Sequence, residues 1–376
     1  MSTISAESTA KRIAEGPPID RLEVAAYTIP TDQPESDGTF AWNSTTMIVV
    51  TLGASQTSGL GYSYTDAAAG MIVERLLKPV INGRSVLDIE GCYDAMNAAV
   101  RNVGRQGVAA SAIAAVDIAL WDAKARLLGM SLLSLLGAAR DQVPVYGSGG
   151  FTSYSIAQLQ RQFSEWADAG IAAVKMKIGR DPASDRDRVH AAREAIGGAV
   201  ELFVDANGAY DRKQALAQAD AFAADRVTWF EEPVSSDDLE GLHLIRDHAP
   251  AGMEIAAGEY GYDIQYFRRM IDAQAIDVLQ ADATRCCGIT GFLRAGALAD
   301  AGCLPMSAHT APGVHRHVCC AVSRVRNLEY FHDHVRIEQM LFDGATPPVD
   351  GMLAADRSRP GLGLDFKRSE AERFAI

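Results

Sequence analysis

Between Lys175 and Glu329, seven short apolar runs each end in one or two ionisable residues, of types suited to proton transfer beside a metal ion. The runs are AAVKMK ending at Lys177, ELFVDAN with Asp205, VTWFEE with Glu231, MEIAAGE with Glu259, DVLQAD with Asp282, LPMSAH with His309 and NLEYF with Glu329. Successive ionisable residues stand 20 to 28 positions apart. Asp205, Glu231 and Glu259 follow one another in this series. Brought together unpaired, three carboxylates repel and raise one another's pKa values, a cost that a hard divalent cation removes. All-oxygen ligation points to Mg²⁺, with Mn²⁺ as a substitute. Single acids at strand–helix loops often cap helices instead, but three in register go beyond capping.

Lys175 and Lys177 flank Met176 in a β-like run, so period-two alternation puts both ammonium groups on one face. Facing each other beside a metal, they are expected to depress each other's pKa. A catalytic lysine is typically brought to ~7 to 8 from ~10.4, and the partly neutral amine can then take a proton from carbon. Asp282 and His309 end successive runs; a carboxylate beside an imidazole fixes its tautomer and raises its basicity. Glu329 is expected either to hydrogen-bond a substrate carboxylate when protonated or to pair with an arginine. The cluster His315-x-His317-x-Cys319-Cys320 lacks the paired spacing of a zinc site, and on a helix only residues three or four apart share a face. His315 and His317 are assigned to the rim of the site.

The repeat length is that of a strand plus a crossover helix, and serial repetition of that unit writes a (β/α)8 barrel, whose strands open their C-terminal ends onto one catalytic face. Between the strands, 157–170, 187–198 and 212–224 carry amphipathic helical patterns. The barrel is placed over 141–345. Before it, 21–30 and 46–53 are expected as strands and 59–66 (GLGYSYTD) as a loop; 111–129 is expected as a helix closed by Gly129. These form an α+β unit over 21–140. Residues 1–20 are expected as a flexible leader, and 346–376 as a tail folding back onto the first unit.

A formal net charge of −13 argues against a nucleic-acid binder, which needs a basic stripe. No apolar run reaches the ~18 to 20 residues of a membrane span, and the N-terminus lacks the apolar core of a secretory signal, so a cytoplasmic protein is expected. Six sparse cysteines fit buried free thiols. The expected partners are a small carboxylate substrate and further copies of the chain, a dimer or higher.

Taken together, Lys175-Met-Lys177, Asp205-Ala-Asn207, Glu231-Glu232-Pro233, Gly258-Glu259, Asp282 and His309 resemble the enolase superfamily in its mandelate racemase-like subgroup, over roughly residues 21 to 365. The resemblance implies a modified TIM (β/α)7β barrel under an α+β capping domain. Two mobile capping loops, within 28–43 and 58–66, would close over it. It implies Mg²⁺ on Asp205, Glu231 and Glu259, Lys177 as the base on one face of the substrate, and the His309–Asp282 dyad on the other. Asn207, Glu329, Tyr62, Tyr64 and Trp42 are the candidate substrate contacts. One departure stands out: where such proteins commonly carry paired glycines, this chain has Cys286-Cys287-Gly288, which puts the local loop geometry in question.

Such parts suit removal of a proton α to a carboxylate, with the developing charge stabilised by a metal. With a β-hydroxyl as leaving group, the expected reaction is dehydration of an aldonic or aldaric sugar acid to a 2-keto-3-deoxy acid. A racemase, epimerase or cycloisomerase on a related hydroxy acid would use the same bases. An acid-sugar-binding protein without catalysis is the alternative of another class; such a protein need not keep the full set of acids and bases.

Overall fold

The computed structural model describes residues 16–376. Strand β1 (Arg21–Ser36) pairs antiparallel with β2 (Ala41–Ala54), and β2 with β3 (Thr57–Tyr64). Helix α2 (Val108–Leu127) packs against this sheet, and α1 (Ile89–Ala99) packs against α2. The segment expected as a loop at 59–66 is therefore mostly strand. Its glycines admit the alanine-rich helix α2 rather than marking a turn: a Cβ on Gly59 would lie 2.1 Å from the Ala119 carbonyl oxygen, and one on Gly61 2.0 Å from that of Ala115. The expected mobile loop at 28–43 is likewise mostly β structure, two strands joined by a turn in which Asp37 accepts from the Thr39 and Phe40 amides.

Residues 1–15 of the expected leader lie outside the described residues. Residues 16–20 depart from that expectation: Ile19 is buried and exchanges backbone hydrogen bonds with Gly83 and Arg84.

Eight parallel strands close a barrel: β4 (Gln142–Gly149), β5 (Ala173–Lys177), β6 (Glu201–Asp205), β7 (Val227–Glu231), β8 (Glu254–Ala257), β9 (Val278–Ala281), β10 (Met306–Ala308) and β11 (Val325–Phe331), with β11 pairing back to β4. The three expected helices appear as α3 (Ile156–Asp168), α4 (Asp185–Ile196) and α5 (Arg212–Phe222). Reciprocal side-chain–backbone caps start α3 at Ser155/Gln158 and α5 at Asp211/Gln214. Farther on run α6 (Leu239–His248), α7 (Ile264–Asp272), α8 (Gly288–Ala301), α9 (Pro312–Ala321) and α10 (His332–Leu341). Inside the barrel, Tyr146, Phe203 and Trp229 form a buried apolar floor with Ala173, Ala256 and Val278. Inward-pointing residues one level higher on the strands stand above it.

Residues beyond α10 return to both units. Met352–Ala354 pairs antiparallel with β4, Leu132 donates its amide to the Gly361 carbonyl, and Ala375 bridges to Tyr27. Among the described residues, no helix is long and apolar enough to cross a membrane.

Candidate active site

Parallel register sets the first part of the site. Lys177 lies opposite Asp205 across β5 and β6, and Asp205 opposite Glu231 across β6 and β7. Glu259 follows β8 by two residues. Asp205, Glu231 and Glu259 each offer a carboxylate oxygen within 4.8 Å of the others, and all three are buried. Such hard oxygen donors, packed this closely, fit Mg²⁺.

Basic side chains lie against these carboxylates. Lys177 Nζ donates to Asp205 Oδ2 at 2.5 Å. Lys175 Nζ lies 2.6 Å from Glu231 Oε1, 2.9 Å from Glu329 Oε1 and 3.4 Å from Asp205 Oδ2. Burial lowers both lysine pKa values and, as expected, Lys175 lowers Lys177 further. Both lysines are nevertheless raised on balance, because the carboxylates act on them directly and together outweigh these effects: Glu231, Glu329 and Asp205 around Lys175, and Asp205, Glu259 and Glu329 around Lys177. Glu231 is pushed up to about 8 by burial and by the negative charge of Asp205.

At the other end of the triad, His309 Nδ1 lies 2.8 Å from Asp282 Oδ2, and its Nε2 lies 3.2 Å from Glu259 Oε2 and 3.7 Å from Glu329 Oε2. Thr284 donates its amide and hydroxyl to Asp282 Oδ1 at 2.7 and 2.8 Å, so this carboxylate is fixed as well as buried. With Nδ1–H donated to Asp282, Nε2 is the nitrogen presented toward the triad. Burial opposes charge on His309, yet the Glu259 and Glu329 carboxylates and the hydrogen bond to Asp282 together outweigh it and lift the imidazole to about 9.

The other expected contacts fall in different places. Asn207, in the left-handed region at φ 45°, donates its backbone amide to Asp205 Oδ1, while its own Oδ1 is buried without a partner among the described residues. Together with Glu232 and Tyr260 it lines a cleft of about 590 Å³, to which the capping unit contributes Thr39 and Gln106. Glu329 pairs with Lys175 and faces His309, and among the described residues no arginine holds it. Trp42 donates Nε1 to Glu35 Oε2 and sets its ring edge-on to Phe151. Tyr62 does not join the site: it is fully buried, packs on Phe342 and donates its hydroxyl to Glu338. Tyr64 spends its hydroxyl on the His334 carbonyl.

His315 and His317 are core residues of α9, not rim residues. His315 Nε2 accepts from the Ala283 amide and its Nδ1 donates to the Thr310 carbonyl, while His317 Nε2 donates to the Leu362 carbonyl. Cys287 occupies the left-handed region at φ 63° just before α8, the conformation that makes glycine usual there. Its side chain is accommodated by burial against the capping unit.

Several residues of the site escape sequence reasoning. Arg285 donates to Glu259 Oε1 at 3.1 Å and stacks over Tyr260. It lies on a loop, where no periodicity marks it. Trp229 Nε1 donates to Glu231 Oε2 at 2.9 Å, a contact that its position two residues before Glu231 on the same strand face could have suggested.

A barrel with a carboxylate triad at its mouth, a lysine pair on one side and a His–Asp pair on the other defines a metal-assisted acid–base enzyme. The chain belongs to the mandelate racemase/muconate lactonizing enzyme family of the enolase superfamily. It matches the family's mandelate racemase/muconate lactonizing enzyme N-terminal domain over residues 30–137 and the enolase C-terminal domain-like region over 158–371. A solved mandelate racemase/muconate lactonizing enzyme-like protein from Rubrobacter xylanophilus is 54% identical, with a TM-score of 0.94 over 96% of this chain and all of that one. The 3,6-anhydro-α-L-galactonate cycloisomerase of Streptomyces coelicolor is 33% identical over 93% of this chain and 98% of its own. The L-talarate/galactarate dehydratase of Salmonella typhimurium, solved with Mg and L-lyxarohydroxamate, is 29% identical, with a TM-score of 0.88 over 100% of this chain and 96% of that one. The protein is thus a Mg²⁺-dependent enzyme of the enolase superfamily, whose relatives are dehydratases, cycloisomerases and racemases.

Proposed function

We propose that this protein dehydrates an aldonic or aldaric sugar acid to a 2-keto-3-deoxy acid. The observation that carries the reading is the placement of two bases at opposite ends of the carboxylate triad, Lys177 on Asp205 and His309 on Glu259. Asp205, Glu231 and Glu259 would hold Mg²⁺, which when bound supplies positive charge where the substrate carboxylate gains negative charge. Lys177 removes the α-proton from one face. His309, tautomer-fixed by Asp282, protonates the departing β-hydroxyl from the other. Lys175 keeps Glu231 and Glu329 in place between them. Asn207 Oδ1 is free to accept a hydrogen bond from a substrate hydroxyl.

The similarity to a cycloisomerase over nearly its whole length supports a second reading, isomerisation of a related acid with the same two bases. A screen of acid-sugar stereoisomers with Mg²⁺, scored for 2-keto acid and for α-proton exchange in D₂O, separates the two. Keto product is expected; exchange or rearrangement without it would favour the isomerase, and neither on any acid would overturn both. EDTA is expected to abolish turnover and added Mg²⁺ to restore it. Full activity in a verified metal-free sample would remove the ion from the reaction.

A further inference from the structure

One guanidinium joins the carboxylate triad to the His–Asp pair. Arg285 stands on the turn between β9 and α8, where its backbone amide and that of Cys286 donate to the Asp282 carbonyl at 3.0 and 2.8 Å. The turn thus folds back on Asp282, and the side chain reaches acids that follow two different strands. Nη1 lies 3.1 Å from Glu259 Oε1 and 3.3 Å from the Glu259 carbonyl oxygen, and Nε lies 3.8 Å from Asp282 Oδ2. The ring of Tyr260 backs the guanidinium at 5.3 Å. The side chains of Glu259 and Asp282 are 4% and 1% exposed and that of Arg285 24%, so this is not a solvated surface pair.

This contact divides the two oxygens of Glu259. Oε1 is taken by Arg285, whereas Oε2 is buried, makes no hydrogen bond among the described residues and stands 3.2 Å from His309 Nε2. An ion on the triad and the His309 ring therefore compete for one carboxylate. Were Glu259 free to turn, it could close on His309, and a single pair would consume both a metal ligand and an acid–base group. A guanidinium carries its N–H donors in a rigid fork, so holding Oε1 and the backbone oxygen of the same residue fixes the rotation of the carboxylate. As a charge alone, the group is a hindrance, because a cation beside a cation site repels the ion. Orientation, not charge, accounts for an arginine here.

We propose that Arg285 is a positioning residue that holds Glu259 for Mg²⁺ and keeps it from capture by His309. This rests on the reading of Asp205, Glu231 and Glu259 as the Mg²⁺ ligands. Calorimetric titration of metal-stripped protein with Mg²⁺, without substrate, tests it. Arg285→Gln should bind Mg²⁺ about 10- to 100-fold more weakly than the parent, the usual cost of losing a partner that orients a metal ligand. Arg285→Lys keeps the charge without the fork and should fall between the two. The same comparison can be read from it should the glutamine variant not fold. In a His309→Asn background the competitor is gone, and the Arg285 substitution should cost less than about threefold, a non-additivity that a merely structural role would not produce. Parent-like or tighter Mg²⁺ binding by the Arg285 variants, or equal losses in both backgrounds, would overturn the proposal. Glu231→Gln keeps the two failures apart. If it loses Mg²⁺ affinity while Arg285→Gln does not, this inference alone falls; if both bind like the parent, the triad is not the metal site and both readings fall.

Discussion

Buried carboxylates and ammonium groups neutralise one another in this site, so removing one partner leaves the other uncompensated. Glu231 touches Lys175, Trp229 and Gln280, and Glu231→Gln preserves its shape while removing a charged ligand. Mg²⁺ affinity measured by calorimetry should fall by at least about tenfold, and parent-like affinity would mean that Glu231 is not a ligand. The two bases should fail differently. Replacing either should cost on the order of 10² to 10⁴ in turnover. In a dehydratase, His309→Asn should still exchange the α-proton in D₂O while losing elimination, and Lys177→Ala should lose both. A His309→Asn variant as active as the parent in every assay would make the histidine structural. These residues were legible because each ends a strand, where alternation and repeat length fix both face and level. The lysine pKa values were not, since they depend on Glu329 and Asp205, which come from β11 and β6 and meet the lysines only in the closed barrel.

At the level of elements, the junction between α2 and α8 shows why local pattern falls short. Asp117 lies within the buried face of α2 and accepts from the amide and hydroxyl of Thr290 at the start of α8. Gly288, at φ 93°, lets the two helices meet, since a Cβ there would lie 2.3 Å from Asp117 Oδ2. An acid in an apolar helical stretch reads from sequence as a solvent-facing position, and only the docking of two units supplies its partners. The same blindness reads the glycines of β3 as a loop, whereas the helix expected over 111–129 forms, over Val108–Leu127. Burial raises the Asp117 pKa from 3.8 to about 7. A raised folded-state pKa means that its favourable contribution is complete below about pH 4 and is lost as pH climbs through about 7. Asp117→Asn keeps an acceptor for the Thr290 amide without the titration. Urea unfolding should show parent and variant close together at pH 4.5. At pH 8 the variant should be more stable, by on the order of 1 to 4 kcal/mol. Parallel stability–pH curves would show that Asp117 does not titrate in this range.

Across the whole molecule, function depends on two units meeting at the barrel mouth. The β1–β2 hairpin crosses that gap: Ser36 and Thr152 hydroxyls lie 2.6 Å apart, the Thr152 amide donates to the Ser36 carbonyl, and the Ser153 hydroxyl donates to Pro34. At its tip Gly38 comes so close to the loops after β5 and β6 that a Cβ would sit 2.6 Å from the Ile178 carbonyl oxygen and 2.5 Å from that of Ala206. Ala206 directly follows the metal-site residue Asp205, so the tip rests on the site's own backbone. From sequence, the resemblance implied that 28–43 closes over the barrel but not which residues meet, because nothing periodic links position 38 to positions 178 and 206. Gly38→Ala should therefore lift the tip while leaving both cores intact. The expected result is a kcat/KM lower by on the order of 10- to 100-fold, because small misplacements of a closing element are costly, with a melting temperature close to the parent's. α-Proton exchange by substrate already bound should fall less than kcat/KM, since neither Lys177 nor His309 is moved directly. A variant with parent kinetics would show that this contact is dispensable, and one that melts well below the parent would show that the hairpin holds the two units together rather than closing the site.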